Sequence, residues 1–313
     1  MIVYGGDYEH TLGVSSVRCR LELEYRVTPR AELFEKVLKR RPFDACEFSL
    51  SNYLMLLDRG ADWLTAVPVF PNRAFRHGTT LVRKDSAIAT FADLAGKRVG
   101  IPDYTMTGGV WWRGLMSDTY GLHWSEVEWI ASGTPRFDPP GAARVVQTDV
   151  NLEDALAGGA IDALFMPRNR DSLLPVAARR FRPLMMDWRA AEVDYFRTTK
   201  IYPISHVIVM PRSSVARHPN LPVALYRAYA HSMTIAKERR LGASFLPWGG
   251  GMWNEVMEVF GGDPVPYGLT ADNRKTIDKL QDYLIEQQLI GRRYDLDGLF
   301  ESVDPVDSEI VLA

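Results

Sequence analysis

AVPVFPNRAFRH, residues 66–77, is the stretch on which the reading of the fold turns. Ala66, Val67, Val69 and Phe70 read as an apolar strand, and the loop that follows carries Arg73, Arg76 and His77. Guanidiniums beside an imidazole that titrates near neutral pH suit a small ligand with more than one carboxylate. A buried strand that delivers such groups at its carboxyl end is how open α/β sheets build ligand sites.

The segments before it continue that pattern. Ile2–Tyr4 reads as a short buried strand that ends in Gly5–Gly6 and presents Asp7, Tyr8 and His10. Val17, Cys19, Leu21, Leu23 and Tyr25 alternate with Arg18, Arg20, Glu22, Glu24 and Arg26, which predicts a strand wetted on one face. Thr28 as cap with Pro29 at the first helical position predicts a helix whose apolar face is Leu33, Phe34, Val37 and Leu38. Phe43–Phe48 is the next strand, and the helix opening at Ser49–Asn52 offers backbone amides to a carboxylate. Ser49 and Ser51 read equally as ligand contacts or as plain N-caps.

After the arginine loop come strands over Thr79–Val82 and up to Ile101. Pro102–Gly109 then opens a helix through Tyr120, stopped by Gly121, with Thr107 at a second anion seat. Gly108–Gly109 fits neither GxGxxG nor P-loop spacing. A strand at Glu126–Ile130, a proline-rich loop over 133–141, a helix capped by Asn151 and a strand at Asp162–Met166 that delivers Arg168 predict a mostly parallel sheet. Ser205–Met210 is a returning strand, followed by a helix over 213–240 broken near Gly242, a turn over 247–251, and helices around 252–260 and 270–290.

A chain of 313 residues is long enough for two domains. We expect lobe one from 1–100 and 204–313 and an inserted lobe two from 101–203, with the ligand in a cleft between them. The formal charge is −2, from 37 basic and 39 acidic residues, so no field exists to gather nucleic acid. No apolar run reaches the ~18 residues that span a bilayer, and an amino terminus holding Asp7, Glu9 and His10 is unlike a secretory leader. A cytoplasmic protein without nucleic-acid or membrane partners is the expectation. Cys19 and Cys46 show no ligand or disulfide spacing and read as buried thiols. No cofactor is expected; a divalent metal held by carboxylates with His10 and His77 stays open, though no HExxH spacing supports it. The oligomeric state also stays open, a homo-oligomer included.

This element order, with one lobe inserted into the other, points to a two-lobed α/β fold of the type II periplasmic-binding-protein kind. The wording is more specific. Phe43-Asp44 with Glu47–Tyr53, Pro68–Pro71 with Arg73–His77, Gly96–Gly100 with Pro102, Tyr104 and Met106-Thr107, Trp111–Gly114, Ile161–Leu164 with Pro167-Arg168, then Pro203, His206, Pro247-Trp248 and Pro266–Gly268 together resemble the 4,5-dihydroxyphthalate decarboxylase family. The resemblance covers nearly the whole chain. It departs at Asp103, where the family tends to have glutamate, at Thr105, where it has glutamine, and at Gly108–Gly109, where alanines are usual.

The resemblance implies a lyase without organic cofactor that turns 4,5-dihydroxyphthalate into protocatechuate, in bacterial breakdown of phthalates. The family also borders on proteins labelled as transporter binding components, so a non-catalytic solute-binding protein for a small aromatic acid is the alternative. A lyase or isomerase acting on another small acid is a further one. Losing carbon dioxide from a ring needs an acid at the ring carbon, an acceptor at the phenol and a cation for the carboxylate that stays. Arg73 and Arg76 are the first candidates for the carboxylates, and Arg113 and Arg168 the second. His77 is the preferred proton donor, with His10 and His206 as the others. Asp7, Glu47 or Asp103 can be the acid if burial raises its pKa, or can orient a histidine. Tyr104, Trp111, Trp112 and Trp248 are candidates for ring stacking, although neighbours such as Trp111 and Trp112 point about 100° apart on a helix.

Overall fold

The structure is a computed structural model that describes residues 1–17, 21–241 and 247–303. Arg18, Cys19, Arg20 and the expected helix break at Gly242 lie outside the described residues. In chain order the elements are β1 (Ile2–Gly5), β2 (Glu24–Val27), α1 (Arg30–Leu38), β3 (Ala45–Ser49), α2 (Leu50–Asp58), β4 (Leu64–Val67), β5 (Thr80–Arg83), β6 (Arg98–Ile101), α3 (Thr107–Tyr120), β7 (Glu128–Ser132), β8 (Arg144–Thr148), α4 (Leu152–Ala157), β9 (Ala163–Phe165), β10 (Phe181–Pro183), α5 (Trp188–Thr199), β11 (His206–Pro211), α6 (Arg212–Arg217), α7 (Leu221–Leu241), α8 (Gly249–Phe260), α9 (Ala271–Glu286) and α10 (Leu296–Leu299).

The chain divides into two compact units: 1–73 with 204–278 and 294–313, and 74–203 with 279–293. These boundaries differ from the expected ones in two places, because 74–100 and 279–293 belong with the second unit. The reason is pairing and packing: β5 hydrogen-bonds to β9 and β10 of the second sheet, and Tyr283 stacks edge-on against Trp111 of α3.

In the first unit the sheet order is β2-β1-β3-β11-β4. β1 runs parallel to β2 and β3, and β11 runs antiparallel to β3 and β4. Apolar residues of β1, β3, β4 and β11 meet Leu221, Leu225, Ala228 and Tyr229 of α7 in one buried cluster. α1 buries Leu33, Phe34 and Val37, the face its spacing predicts. Pro29 is its N-cap rather than its first residue, and the Thr28 hydroxyl turns back to the Arg26 carbonyl. The expected helix over 213–240 is two helices, α6 and α7. Pro219 disfavours helical backbone at His218, whose φ −135 and ψ 78 end α6. Gly249–Gly251 form the first turn of α8, not a separate turn.

In the second unit the sheet order is β10-β5-β9-β6-β7-β8, parallel from β9 through β8 and antiparallel at β5 and β10. Trp111 and Trp112 are both core residues, with Trp112 stacked on Phe165 at 4.9 Å and edge-on to Trp129 at 5.4 Å. Asn151 caps α4 by accepting from the amides of Glu153 and Asp154. Gly121 closes α3 at φ +66.

Tyr283 lies so close to α3 that a Cβ on Gly114 would stand 2.3 Å from its ring. Replacing Gly114 by leucine is therefore expected to destabilise the protein by roughly 1–3 kcal/mol or more through overpacking, read as a lower urea midpoint.

Candidate active site

The first unit gathers its chemistry at the carboxyl ends of β1 and β3. Side chains alternate along a strand, so Glu47 and Ser49 of β3 share a face, and Ser49 pairs with His206 at the start of β11. The diagonal neighbour of His206 on that face is Glu47. The two meet: His206 Nδ1 bonds Glu47 Oε1. The same carboxylate accepts from the Tyr8 hydroxyl at 2.8 Å and from the Gly6 amide at 2.7 Å. Arg30 opens α1, and its charge acts on Tyr8 in the opposite sense to that of Glu47, lowering its pKa.

Glu47 is 1% exposed. Burial on its own would raise its pKa, but the hydrogen bond and charge of His206, the Gly6 amide and the Tyr8 hydroxyl outweigh it and hold the carboxyl below its ordinary value. An ionised carboxylate only accepts, so His206 carries a proton on Nδ1. Phe34 meets the imidazole edge-on at 5.2 Å. Tyr8 is pushed up to about 12 by burial and by the Glu47 charge, so it stays a neutral donor. His10 stacks on Tyr8 at 5.3 Å, and burial lowers its pKa. Its Nε2 lies 2.9 Å from the Pro71 carbonyl, which fixes the hydrogen on that nitrogen. Gly5 and Gly6 are required by close approach: a Cβ would come within 2.2 Å of the Tyr25 hydroxyl and 2.6 Å of the Tyr8 ring respectively.

Ser49 is the N-cap of α2 but makes no side-chain cap; its hydroxyl lies 3.2 Å from that of Ser51, and both are buried. Asp7 is exposed. Arg73 is engaged within the protein, with Nη1 donating to Asn273 at 2.8 Å and Nη2 to the Pro266 carbonyl at 2.6 Å.

The second unit holds the remaining candidates. Arg76 is buried, and its guanidinium lies against the first turn of α3, since a Cβ on Gly108 would come 3.2 Å from Cζ. Thr107, also buried, opens that helix. A cation over a helix amino end is an electropositive place suited to a carboxylate. Asp103 sets the turn before it: Oδ1 accepts the Thr105 amide at 2.9 Å and hydroxyl at 2.8 Å, and Oδ2 accepts the Arg136 amide at 3.1 Å.

His77 is 1% exposed, with Nδ1 buried and 3.8 Å from Glu192 Oε1. Burial lowers its pKa to about 4, so the ring is uncharged at neutral pH. Burial likewise lifts Glu192 to about 7, opposed by the amides of Gly78 and His77 and the charge of Arg76. As pH falls through that value, the proton of this pair goes to the carboxyl and not to the ring. Arg113 is fully buried, donates from Nε to Gln287 at 2.8 Å and lies 3.9 Å from the Tyr104 ring centre. Tyr104 is buried beneath it, Arg168 is exposed beyond β9, and Trp248 is 78% exposed. Among the described residues no three His, Cys, Asp or Glu side chains are grouped to hold a metal, and no helix is long and apolar enough to cross a membrane.

Sequence reasoning underrated Glu47 and Tyr8 and missed Arg30 and Glu192. Glu47 had a signal, a lone charge between Cys46 and Phe48 in an otherwise apolar strand. Glu192 had none, for it reads as a surface glutamate of α5.

No family model matches the chain. The 4,5-dihydroxyphthalate decarboxylase of Comamonas testosteroni is 32% identical over 262 residues, which is 79% of this chain and 79% of that one. A Pseudomonas putida protein of the same name is 34% identical over 179 residues, 53% of this chain and 68% of that one. Among solved structures, the periplasmic aliphatic sulphonate binding protein of Escherichia coli matches with a TM-score of 0.61 at 12% identity, covering 99% of this chain and 94% of that one. The desulfurization enzyme DSZB matches with a TM-score of 0.54 at 17% identity, covering 96% of each. At these identities the structures show the fold alone, which is α/β and periplasmic-binding-protein-like.

Two outcomes follow from the buried pairs. Glu47→Gln should cost about 3–5 kcal/mol at neutral pH by urea unfolding. Because Glu47 is depressed below its usual 4.5, the wild-type advantage over that variant should shrink as pH falls below 4.5. Glu192 has the opposite sign: its folded pKa of about 7 lies above the ordinary 4.5, so its contribution is present at low pH and is lost as pH rises through that window. Glu192→Gln should accordingly gain stability relative to wild type between pH 4.5 and 7, measured by urea midpoints across the range.

Proposed function

Because the chain belongs to the 4,5-dihydroxyphthalate decarboxylase family and is a carboxy-lyase, we propose that it converts 4,5-dihydroxyphthalate to protocatechuate and carbon dioxide, with His206 carrying the proton and Glu47 setting its tautomer. The observation that carries the assignment to His206 is the Glu47 carboxylate, which takes hydrogen bonds from His206, Tyr8 and Gly6 at the ligand end of a parallel strand pair.

The chemistry requires proton delivery before carbon dioxide leaves. A hydroxyl para to the carboxylate-bearing carbon pushes electron density onto that carbon. Protonated His206 gives its Nε2 proton to the carbon, forming a C–H bond. The C–CO₂ bond then breaks, its electron pair restores the aromatic ring, and neutral His206 regains a proton from solvent. One proton is consumed per carbon dioxide released. Glu47 beside the imidazole stabilises the charged form that must exist before transfer. Ser49, opposite His206 in the β3–β11 register, and Ser51, in the opening turn of α2, are assigned to the carboxylates. In the second unit the group best suited to a carboxylate is Arg76, whose guanidinium lies against the first turn of α3 where Thr107 opens the helix; Arg73, Arg113 and Arg168 rank behind it because of their partners, burial or exposure. His77 ranks behind His206 as donor, since burial leaves it uncharged at neutral pH.

The test is to incubate purified protein with 4,5-dihydroxyphthalate and follow carbon dioxide and protocatechuate. Wild type should turn over, His206→Gln should lose about 10²–10⁴ in kcat with substrate still bound, and Arg76→Gln should act mainly by raising KM. Tight binding of the diacid without carbon dioxide release would replace this reading with solute capture. An unchanged kcat in His206→Gln would move the proton to another group.

A further inference from the structure

At the opposite end of the strands of the first sheet, a pocket of about 420 Å³ opens beside the amino ends of β1, β3 and β4. Its walls include Tyr4, Phe43 and Trp63, and its polar groups include Arg40, Arg217 and Asp44. We propose that this pocket is a second binding site, for a planar aromatic ring bearing an anionic group.

Arg40 is the strongest pointer. α1 ends in a complete Schellman turn, in which the Arg40 amide donates to Val37 O at 3.0 Å and the Arg41 amide to Lys36 O at 2.8 Å. Arg40 occupies the left-handed position of that turn, at φ 49, where glycine is free of strain and a side chain is not. The chain keeps an arginine there, and its guanidinium lies 5.0 Å from the Trp63 ring centre. Among the described residues no carboxylate pairs with it. A strained residue that holds a cation over an aromatic wall is the kind of outlier that marks a ligand site.

The remaining walls fit the same ligand. Phe43 meets Trp63 edge-on at 6.5 Å, so a planar ring has apolar faces to lie against. Arg217 brings a second guanidinium, 4.0 Å from Asp44 Oδ1, while Asp44 Oδ2 is taken by the Ile2 amide at 2.9 Å. Asp44 Oδ1 is thus placed to accept from a ring hydroxyl or amino group as the arginines take the anion. The volume lies in the range of small-molecule pockets. None of these residues belongs to the proposed catalytic set.

An aromatic carboxylate and a purine nucleoside monophosphate share this chemistry, and the experiment separates them. The Trp63 indole N–H resonance, assigned by its loss in Trp63→Phe, is followed while protocatechuate, AMP or cyclohexanecarboxylate is added at millimolar concentrations. Protocatechuate, AMP or both should shift it saturably, and cyclohexanecarboxylate should not. Arg40→Gly should weaken that binding about tenfold or more, yet unfold at the same or a higher urea concentration, because glycine relieves the turn, and turn over 4,5-dihydroxyphthalate at the wild-type kcat. A structural role for Arg40 predicts the reverse, with stability lost and binding kept. No shift with either aromatic anion, an equal response to the cyclohexane acid, or unchanged affinity in both Arg40→Gly and Arg217→Gln would overturn the proposal. The readout is local and needs no turnover, so it stands or falls separately from the decarboxylase reading.

Discussion

A carboxylate placed where water cannot reach it must find donors or give up its charge, and Glu47 finds three. Much of the first unit answers to that requirement. The Gly6 amide and the Tyr8 hydroxyl reach it only because β1 lies beside β3, and His206 reaches it only because β11 pairs with the other edge of β3 in the register that sets Ser49 opposite His206. A one-residue slip of β11 would turn the imidazole to the opposite face. Glycine at positions 5 and 6 lets the Tyr25 and Tyr8 rings close over the turn. Strand order, register and two missing side chains thus serve one ionised group.

The second unit shows what happens when the donors are fewer. Glu192 also faces an imidazole, that of His77, but 3.8 Å separates their nearest atoms and the Gly78 amide is 3.4 Å away. Burial then prevails on both partners, leaving the histidine neutral and the carboxyl near 7. The two carboxyls, both buried beside an imidazole, are thus shifted in opposite directions. The number and closeness of hydrogen bonds to the carboxylate decide which.

Much of this was legible in the sequence. Apolar runs bounded by glycine and proline located β1, β3, β4, β6, β9 and β11, the α1 face was read correctly from Leu33, Phe34 and Val37, and Gly121 and Asn151 marked helix ends through their local chemistry. By contrast, β8 and β10 went unread, and the strand expected from Val17 to Arg26 begins, among the described residues, only at Glu24. Local signals failed where a distant contact decides. The placement of β5 in the second sheet depends on pairing with β9 and β10, about which residues 80–83 say nothing by themselves. Arg73 looked like a ligand group, and its engagement by Asn273 and the Pro266 carbonyl depends on residues some two hundred positions away. His206 was named, but the carboxylate that distinguishes it from His10 and His77 is a matter of strand register.

The departures from the family's wording also acquire a physical reading. Asp103 and Thr105 are bonded to each other twice, through the amide and the hydroxyl of Thr105. An aspartate can close this turn onto the residue two places ahead, whereas a glutamate carries an extra methylene and closes a larger ring. The two positions therefore behave as one change, and a threonine that supplies a hydroxyl is the natural partner for the shorter acid. The turn they form leads into α3, where Gly108 leaves room for the Arg76 guanidinium against the helix start. A methyl group there would stand 3.2 Å from Cζ, so an alanine would press the cation away. Glu47 and His206 lie within the strings that match the family, while the departures cluster around the turn and helix opening next to Arg76. The departures thus alter the surroundings of Arg76 and leave the Glu47–His206 pair, to which the proton is assigned, untouched.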